Sequence, residues 1–215
     1  MRKNLNNQSR FISIGLMSGT SQDGIDIGII DTDGNKIYEI GPSLFYPYKN
    51  KFRRDLKRLI DNAIKEGKPT NDKTISSELS KHHIKAMKIL ISSIGESNKF
   101  KYPDIIGFHG HTVIHSPKEG FTQQIGDCDL ISKEMSLPVV GDFRVNDVIN
   151  GGEGAPLTPI FHKAILNSIN HPVAVINIGG ISNITWLNNY NDELIAFDLG
   201  PGNCLIDQWI STHTK

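Results

Sequence analysis

A pattern of three strands occurs twice in this chain of 215 residues, with a short glycine-containing turn between the first two strands each time. The first copy covers residues 11–41 and contains GLMSGTSQDGIDIGIID at positions 15–31. The second copy covers residues 173–200 and contains NIGGISNIT at positions 177–185. Internal self-similarity indicates a duplicated structure, and two copies fit two related lobes better than a solenoid. Chance likeness between two common hairpins is the alternative.

Hydrophobic periodicity elsewhere in the chain predicts a mixed α/β fold. Helices are predicted at 51–67, 71–95, 158–169 and 204–211, buried strands at 103–110 and 137–143, and turns at 32–35 and 188–193. The turn at 32–35 contains Asp-Gly, which favours a hairpin between the second and third strands. The helix at 158–169 has Pro159 near its first turn, where proline is tolerated.

The charge balance argues against a nucleic-acid partner and favours a small molecule. The chain has 23 basic and 23 acidic residues, a formal net charge of zero, and no basic stripe. The two cysteines, Cys128 and Cys204, are too few for a disulfide framework or a zinc cluster, which fits a reducing compartment. The N-terminal residues resemble neither a signal peptide nor a membrane span, so a cytoplasmic protein is expected.

The first turn, residues 18–24, has the composition of a phosphate-binding turn. Backbone N–H groups at a tight turn bind anions, and Gly19 and Gly24 permit positive φ and close approach of a ligand. Hydroxyl donors are available from Ser18, Thr20 and Ser21. The Asp23 carboxylate can hold Mg²⁺ or its waters. The turn is not a Walker P-loop, because no Gly-Lys-Ser/Thr follows and the next segment is a predicted strand. A purely structural hairpin is the alternative.

Six motifs occur along the chain in a fixed order: GLMSGTSQDGIDIGIID, GFHGHTVIHSP, QIGD, PVVGDFRVNDVINGGEGAPLTPIFH, NIGGISNIT and DLGPGN. Together, from about Phe11 to the end of the chain, they resemble the anhydro-N-acetylmuramic acid kinase family. The resemblance implies the duplicated two-lobe, actin-like ATPase (ribonuclease H-like) fold of sugar kinases and heat-shock chaperone ATPases. Family members are considerably longer, so we expect a first lobe at 1–171 and an incomplete second lobe at 172–215.

The resemblance implies a reaction that converts 1,6-anhydro-N-acetylmuramic acid, ATP and water to N-acetylmuramic acid 6-phosphate and ADP, in the recycling of cell-wall sugars. Water opens the anhydro bridge at the anomeric carbon, and the freed 6-oxygen takes the γ-phosphoryl group. A general base and charge neutralisation are therefore needed. ATP and Mg²⁺ are the implied cofactors, and a homodimer is implied at full length.

Two other classes of protein remain as alternatives. An inactive fragment, or a sugar-binding module derived from the kinase, would keep the sugar-side motifs without turnover. A chaperone-like ATPase would have no use for GDFRVNDVINGGEGAPL, at residues 141–157.

The resemblance also implies roles for individual residues. Asp142, in the motif GDFR, is the implied general base; a turn cap or a pair with Arg144 is its structural alternative. The ATP-binding residues are Gly19, Thr20, Ser21, Gln22, Asp23, Gly24, Ile25, Asp26, Gly179, Gly180, Asp198, Gly200, Gly202 and Asn203, with Asp23 as the metal-binding residue. The sugar-binding residues are His109, Thr112, Arg144, Gly152 and Gly154.

Several of these residues have alternative roles. Arg144 suits a sugar carboxylate or a phosphate, and a surface ion pair with Asp147 is the alternative. Asp198 suits Mg²⁺ or nucleotide positioning, whereas Asn203 suits the start of the helix at 204–211.

The histidines at 109, 111 and 115 have a spacing that allows a metal site. The family has a sugar-side loop without metal at this stretch. His111 and Glu153 stand where the family usually has Gln, which affects the expected substrate contacts and not the reaction class.

Overall fold

The computed structural model describes residues 9–166, 168–188 and 193–214, which fall into two compact units. The first unit ends at Gly154 and the second begins at Ala155, earlier in the chain than the lobe boundary expected at 171/172. Most of the turn predicted at 188–193 lies outside the described residues. No described helix is long and apolar enough to cross a membrane.

A sheet of six strands forms the centre of the first unit. The strands are β1 (Phe11–Ser18), β2 (Gly24–Thr32), β3 (Ile37–Pro47), β4 (Ile105–Ser116), β5 (Phe121–Ile125) and β6 (Val139–Val140). β3, β2 and β1 form an antiparallel meander, which confirms the three strands predicted for the first copy. β4 runs parallel to β1 and β6 and antiparallel to β5. The mixed sheet and its helices confirm the α/β class.

Three helices, α1 (Asn50–Glu66), α2 (Lys73–Ser93) and α3 (Cys128–Met135), contribute residues to one core with this sheet. A short helix, α4 (Val145–Ile149), contacts β5, and 3₁₀ turns lie at Lys99–Lys101 and Pro117–Glu119. Alternate residues of a strand share a face, so Ile14 and Leu16 of β1 are buried in the core with Leu56 of α1 and Met87 of α2. The helices predicted at 51–67 and 71–95 are therefore confirmed, with Asp72 as the N-cap of α2.

The sequence-based assignment was wrong or incomplete at four segments. The buried strand predicted at 137–143 is only Val139–Val140, with Val140 46% exposed. β5 and α3 were missed because FTQQI is polar and both segments are short. The strand predicted at 103–110 continues to Ser116, so the expected sugar-side loop is largely strand.

The second unit contains three antiparallel strands in the order β7-β8-β9. Its elements are α5 (Pro159–Leu166), β7 (Val173–Ile178), β8 (Ile181–Asn188), β9 (Glu193–Pro201) and α6 (Cys204–His213). This sheet confirms the three strands predicted for the second copy. The helix predicted at 158–169 is confirmed but shorter.

Candidate functional site

The first predicted phosphate turn, residues 19–23, connects β1 to β2. It is closed by the Gln22 N–H, which donates to the Gly19 carbonyl at 3.0 Å. The left-handed residue of the turn is Gln22 (φ 55°); neither Gly19 nor Gly24 has positive φ, so that expectation was wrong. Close packing requires glycine at position 24, because a Cβ there would lie 2.5 Å from the Tyr46 carbonyl oxygen.

The polar side chains of this turn fall into an exposed set and a buried one. Ser21 donates its hydroxyl to Asp23 Oδ1 at 2.5 Å, and both residues are exposed. Asp26, on β2, is also exposed, and partial desolvation of its carboxyl together with the charge of Asp23 raises its pKa. Ser18 is buried, so its hydroxyl does not serve as the phosphate donor that we expected. Ile25 is fully buried in the core, which leaves only its backbone available to a nucleotide.

Two flanking residues that sequence reasoning missed support this turn. Tyr48 donates its N–H to the Asp23 carbonyl at 2.8 Å. Arg53, on α1, donates Nε to the Gln22 carbonyl at 2.9 Å. Neither residue belongs to a motif, and only its position directly after β3 or in the first turn of α1 could have suggested a role.

The second predicted phosphate turn, residues 179–180, connects β7 to β8 and contacts residues 202–203, which follow β9. Gly202 and Asn203 donate their N–H groups to the carbonyls of Gly180 and Gly179, at 2.9 and 2.7 Å. A Cβ at Gly202 would lie 2.3 Å from the Gly179 carbonyl oxygen, so glycine is required for this contact. Asn203 directly precedes α6 and donates its side-chain amide to the Ile178 carbonyl instead of capping the helix.

The remaining two residues predicted for the second nucleotide turn lie on β9. Asp198 is exposed and pairs with Asn183 of β8. Gly200 pairs with Ser182 and has φ 139°. The contacts of the second turn therefore centre on Gly179, Gly180, Gly202 and Asn203, with Asp198 on the adjoining strand.

Asp142, the expected base, lies between β6 and α4 and is exposed. Its backbone is left-handed (φ 55°), a conformation that Asp tolerates better than most residues. Among the described residues no ion pair joins Asp142 to Arg144, which argues against the pair as its structural role.

Arg144 is half-buried and hydrogen-bonds to neutral groups. Its Nε donates to His109 Nε2 at 2.9 Å, and its Nη1 donates to the Gly154 carbonyl at 2.6 Å. Asp147 instead accepts from the Gly154 N–H at 2.7 Å through Oδ2, so the expected alternative of an Arg144–Asp147 pair is not formed. Burial lowers the pKa of Arg144. A partly desolvated guanidinium without a carboxylate partner suits an anionic ligand.

The loop after α4 requires its glycines. Gly152 donates its N–H to the Asp147 carbonyl at 2.8 Å, and a Cβ there would lie 2.2 Å from the Asp147 carboxylate. Gly154 has φ 64°, which disfavours other residues. The loop geometry therefore depends on these two glycines and on Asp147.

The three histidines of β4 contact different partners. An extra residue interrupts the β1–β4 register, because Leu16 pairs with Phe108 but Ser18 pairs with His111. Gly110 has φ 72° at this bulge. His111 therefore contacts Ser18, whereas His109 contacts Arg144.

The third histidine, His115, is exposed and hydrogen-bonds to Thr122 at 2.9 Å. No group of three or more His, Cys, Asp or Glu side chains suited to a metal occurs in the described parts of the chain. Thr112, also on β4, accepts a hydrogen bond from Gln124 at 3.3 Å.

Burial sets the charge of the two inner histidines. The pKa of His111 falls to about 4 because burial disfavours its charged form, and the charge of His109 acts in the same direction. The pKa of His109 is lowered by burial and by the neighbouring Arg144 charge. His109 Nε2 accepts from Arg144, and its Nδ1 lies 3.1 Å from the Gly110 carbonyl oxygen, an arrangement that suits a neutral ring with its proton on Nδ1.

The family model for anhydro-N-acetylmuramic acid kinase matches residues 11–215. The kinase of that name from Gluconobacter oxydans is 44% identical over 209 residues, covering 94% of this chain and 56% of the relative. The one from Pelagibacter ubique is 41% identical over 212 residues, covering 95% and 55%.

The chain thus spans about half the length of the curated relatives that it matches. A family model that covers all but the first ten residues and relatives of this similarity lead to one conclusion: the chain belongs to the anhydro-N-acetylmuramic acid kinase family.

Proposed function

We propose that this chain carries the catalytic base and the phosphate turns of an enzyme that opens 1,6-anhydro-N-acetylmuramic acid with water and phosphorylates the freed 6-oxygen with ATP. The observation that carries the proposal is the exposed Asp142 carboxylate, without an ion pair among the described residues, two positions before the half-buried Arg144. Family membership supports the choice of reaction.

Asp142 acts on the attacking water in this proposal. Its carboxylate accepts a proton as the water oxygen bonds to the anomeric carbon and the bridging bond to the 6-oxygen breaks. His109 and the Gly154 carbonyl hold the Arg144 guanidinium, which is oriented to bind the carboxylate of the sugar's lactyl group. The loop formed by Gly152 and Gly154 allows the backbone to approach the sugar ring.

The phosphate turns hold the nucleotide in this proposal. Residues 19–23 and the segment formed by Gly179, Gly180, Gly202 and Asn203 supply backbone and hydroxyl groups for the phosphates. Asp23 is exposed at the turn, and a single carboxylate completed by phosphate oxygens and water fits the coordination of Mg²⁺. When bound, Mg²⁺ neutralises the charge that develops on the transferred phosphoryl group.

The proposal also includes the fold, the lobe boundaries, the oligomeric state and the location that the resemblance to this family implies. They are a duplicated two-lobe, actin-like fold, lobes at 1–171 and from 172 onward, a homodimer at full length, and a cytoplasmic location without a nucleic-acid partner. The three-stranded antiparallel sheets at the two sequence copies and the zero net charge support these assignments.

The test replaces Asp142 with Asn, which also tolerates left-handed backbone but accepts no proton as a base. Because the chain spans about half of its relatives, turnover is measured both on the chain itself and on a chimera. In the chimera, residues 11–215 replace the matching segment of the Gluconobacter oxydans relative. We expect Asp142→Asn to lower kcat of the active form by about 10²–10⁴-fold, with Mg·ATP affinity unchanged.

Asp129→Asn is the matched control, because Asp129 is an exposed carboxylate of α3. A folded Asp142→Asn chimera with the parent kcat contradicts the proposed base. Sugar binding without turnover by the parent chimera favours the sugar-binding module instead.

A further inference from the structure

We propose that Tyr48, Ser18 and His111 form a buried hydrogen-bonded chain that positions the phosphate turn, residues 19–23, for the nucleotide. The role in nucleotide binding rests on the proposed function. The role in holding the shape of the turn rests on the contacts alone. All three are positioning residues, because their side chains are buried beneath the turn.

The hydrogen bonds of this network are short, and all three side chains are buried. Tyr48 donates its hydroxyl to Ser18 Oγ at 2.8 Å, and Ser18 Oγ lies 2.8 Å from His111 Nδ1. The exposed fractions are 5% for Tyr48 and 1% for both Ser18 and His111. Hydrogen bonds among buried groups that have no water to replace them fix geometry more strongly than exposed ones.

Tyr48 contacts the phosphate turn at both of its ends. Its hydroxyl holds Ser18, the residue immediately before the turn, and its N–H donates to the carbonyl of Asp23, the last residue of the turn, at 2.8 Å. The ring is itself fixed by an edge contact with Phe52 of α1. One residue therefore fixes the separation between the two ends of the turn.

His111 connects the same turn to the strand of the proposed sugar site. The bulge at Gly110 brings His111 level with Ser18, whereas His109, on the other side of Gly110, holds Arg144. A Cβ at Gly110 would lie 2.4 Å from the Ile125 carbonyl oxygen, so the bulge depends on glycine. β4 thus carries one histidine for each of the two proposed subsites.

Folding stability alone does not account for His111. Its Nε2 is buried and has no hydrogen-bond partner among the described residues. An unpaired buried polar group costs free energy of folding. An apolar residue here would remove that cost, but it would also leave the buried Ser18 hydroxyl without its acceptor, so the two effects on stability oppose each other. Substitution of His111 by an apolar residue would also remove its contact with Ser18. We therefore expect such a substitution to change the geometry of the turn more than the stability of the fold.

The experiment uses the chain itself and three variants that break the network: Tyr48→Phe, Ser18→Ala and His111→Leu. His111→Asn is the rescue variant for the Ser18 contact, because one atom of the asparagine amide occupies the position of Nδ1. The controls are Tyr46→Phe, a partly buried tyrosine of β3, and His115→Leu, the exposed histidine of β4. The readouts are amide hydrogen exchange, Mg·ATP affinity by calorimetry, and melting temperature.

The protected N–H groups of Gln22 and Tyr48 report on the turn, and that of Ile14 reports on the core. We expect the three network variants to speed exchange at Gln22 and Tyr48 by roughly three- to tenfold, with Ile14 unchanged. Mg·ATP affinity falls by a similar factor, and the melting temperature of His111→Leu changes little, because the removal of the unpaired Nε2 offsets the loss of the acceptor for the Ser18 hydroxyl. The rescue variant and both controls keep the exchange rates and the Mg·ATP affinity of the parent.

Two results overturn the inference. One is parent-like exchange at Gln22 and Tyr48 in all three network variants. The other is faster exchange at the turn and at Ile14 together, with a lower melting temperature in His111→Leu, which is the result of a purely structural role. If neither the parent chain nor the chimera binds Mg·ATP, the proposed function fails, while faster exchange confined to Gln22 and Tyr48 still supports the positioning role.

Discussion

Two residues of the candidate site adopt arrangements that ordinary packing would not select. Asp142 has a left-handed backbone at an exposed position, and Arg144 is half-buried without a carboxylate partner in the described part of the chain. Such arrangements cost stability and cluster at functional sites. The sequence motif GDFR identified both residues, but the contact between Arg144 and His109 depends on a bulge in β4 that no local pattern predicts.

Buried histidines make the stability of this protein sensitive to acid. His83, on α2, is fully buried, and burial lowers its pKa to about 4, as burial does for His111. Between pH 6.5 and about 4 the unfolded chain therefore binds more protons than the folded one, so stability falls as the pH falls through this range. Each histidine contributes a slope of up to about 1.4 kcal/mol per pH unit.

Replacing His83 with Asn tests this prediction. The Asn amide keeps a donor for the Leu79 carbonyl, to which His83 Nδ1 now lies at 2.9 Å, and it does not titrate. We expect urea unfolding at a series of pH values to give a shallower loss of stability below pH 6.5 than in the parent. The control is His213→Asn, an exposed histidine with the same contact to the carbonyl four residues earlier. Equal slopes in His83→Asn and the parent would contradict the prediction.

At the scale of secondary structure, the long elements follow from local signals and the short ones do not. α1 and α2 were predicted because their apolar residues recur at helical spacing, because Gly67 marks the end of α1, and because Asn71 or Asp72 could cap α2. The structure shows Asp72 as that cap. β5 and β6 were missed or misjudged because their pairing with β4 comes from the sheet and not from their own residues. The bulge at Gly110 could not be predicted for the same reason, because it arises from the pairing of β4 with β1.

The N-cap of α2 gives a prediction at this scale. Asp72 accepts hydrogen bonds from the N–H groups of Thr74 and Ile75, both at 3.0 Å. Replacing it with Ala leaves both donors without this acceptor, so we expect the free energy of unfolding in urea to fall by about 1 kcal/mol.

Asp61→Ala is the control for the cap. Asp61 is an exposed aspartate of α1 that pairs with Lys57 one turn away, and such a pair contributes less than about 1 kcal/mol. Equal losses in the two variants would show that the cap contributes nothing beyond a surface charge.

At the scale of the whole molecule, the strands of both sequence copies could be predicted from the sequence. Which face of each sheet packs against other elements could not. In the second unit, cross-strand partners share a face, and His162 of α5 contacts Thr185 on one side of the sheet. The opposite face carries the row Ile176–Ile184–Phe197, in which Ile176 and Phe197 are 57% and 51% exposed. Local periodicity specifies a strand, but it does not specify what packs against each side.

This open apolar face gives the last prediction. Exposed contiguous apolar surface on a sheet with free edges favours association, so we expect the isolated chain to self-associate with increasing concentration. The variant Ile176→Thr/Phe197→Thr places β-branched residues, which favour strands, at both positions and removes apolar surface. Its weight-average mass in sedimentation should shift toward that of one chain, with the free energy of unfolding within about 1 kcal/mol of the parent.

The control for this surface is Leu187→Thr, which places the same residue type on the opposite face at a position only 2% exposed. Because it buries a hydroxyl and removes core contacts, it should destabilise the second unit by about 2–4 kcal/mol and increase self-association. An unchanged mass distribution in Ile176→Thr/Phe197→Thr would show that the apolar face does not drive association. A fall in its stability equal to that of Leu187→Thr would show instead that the face is covered in solution.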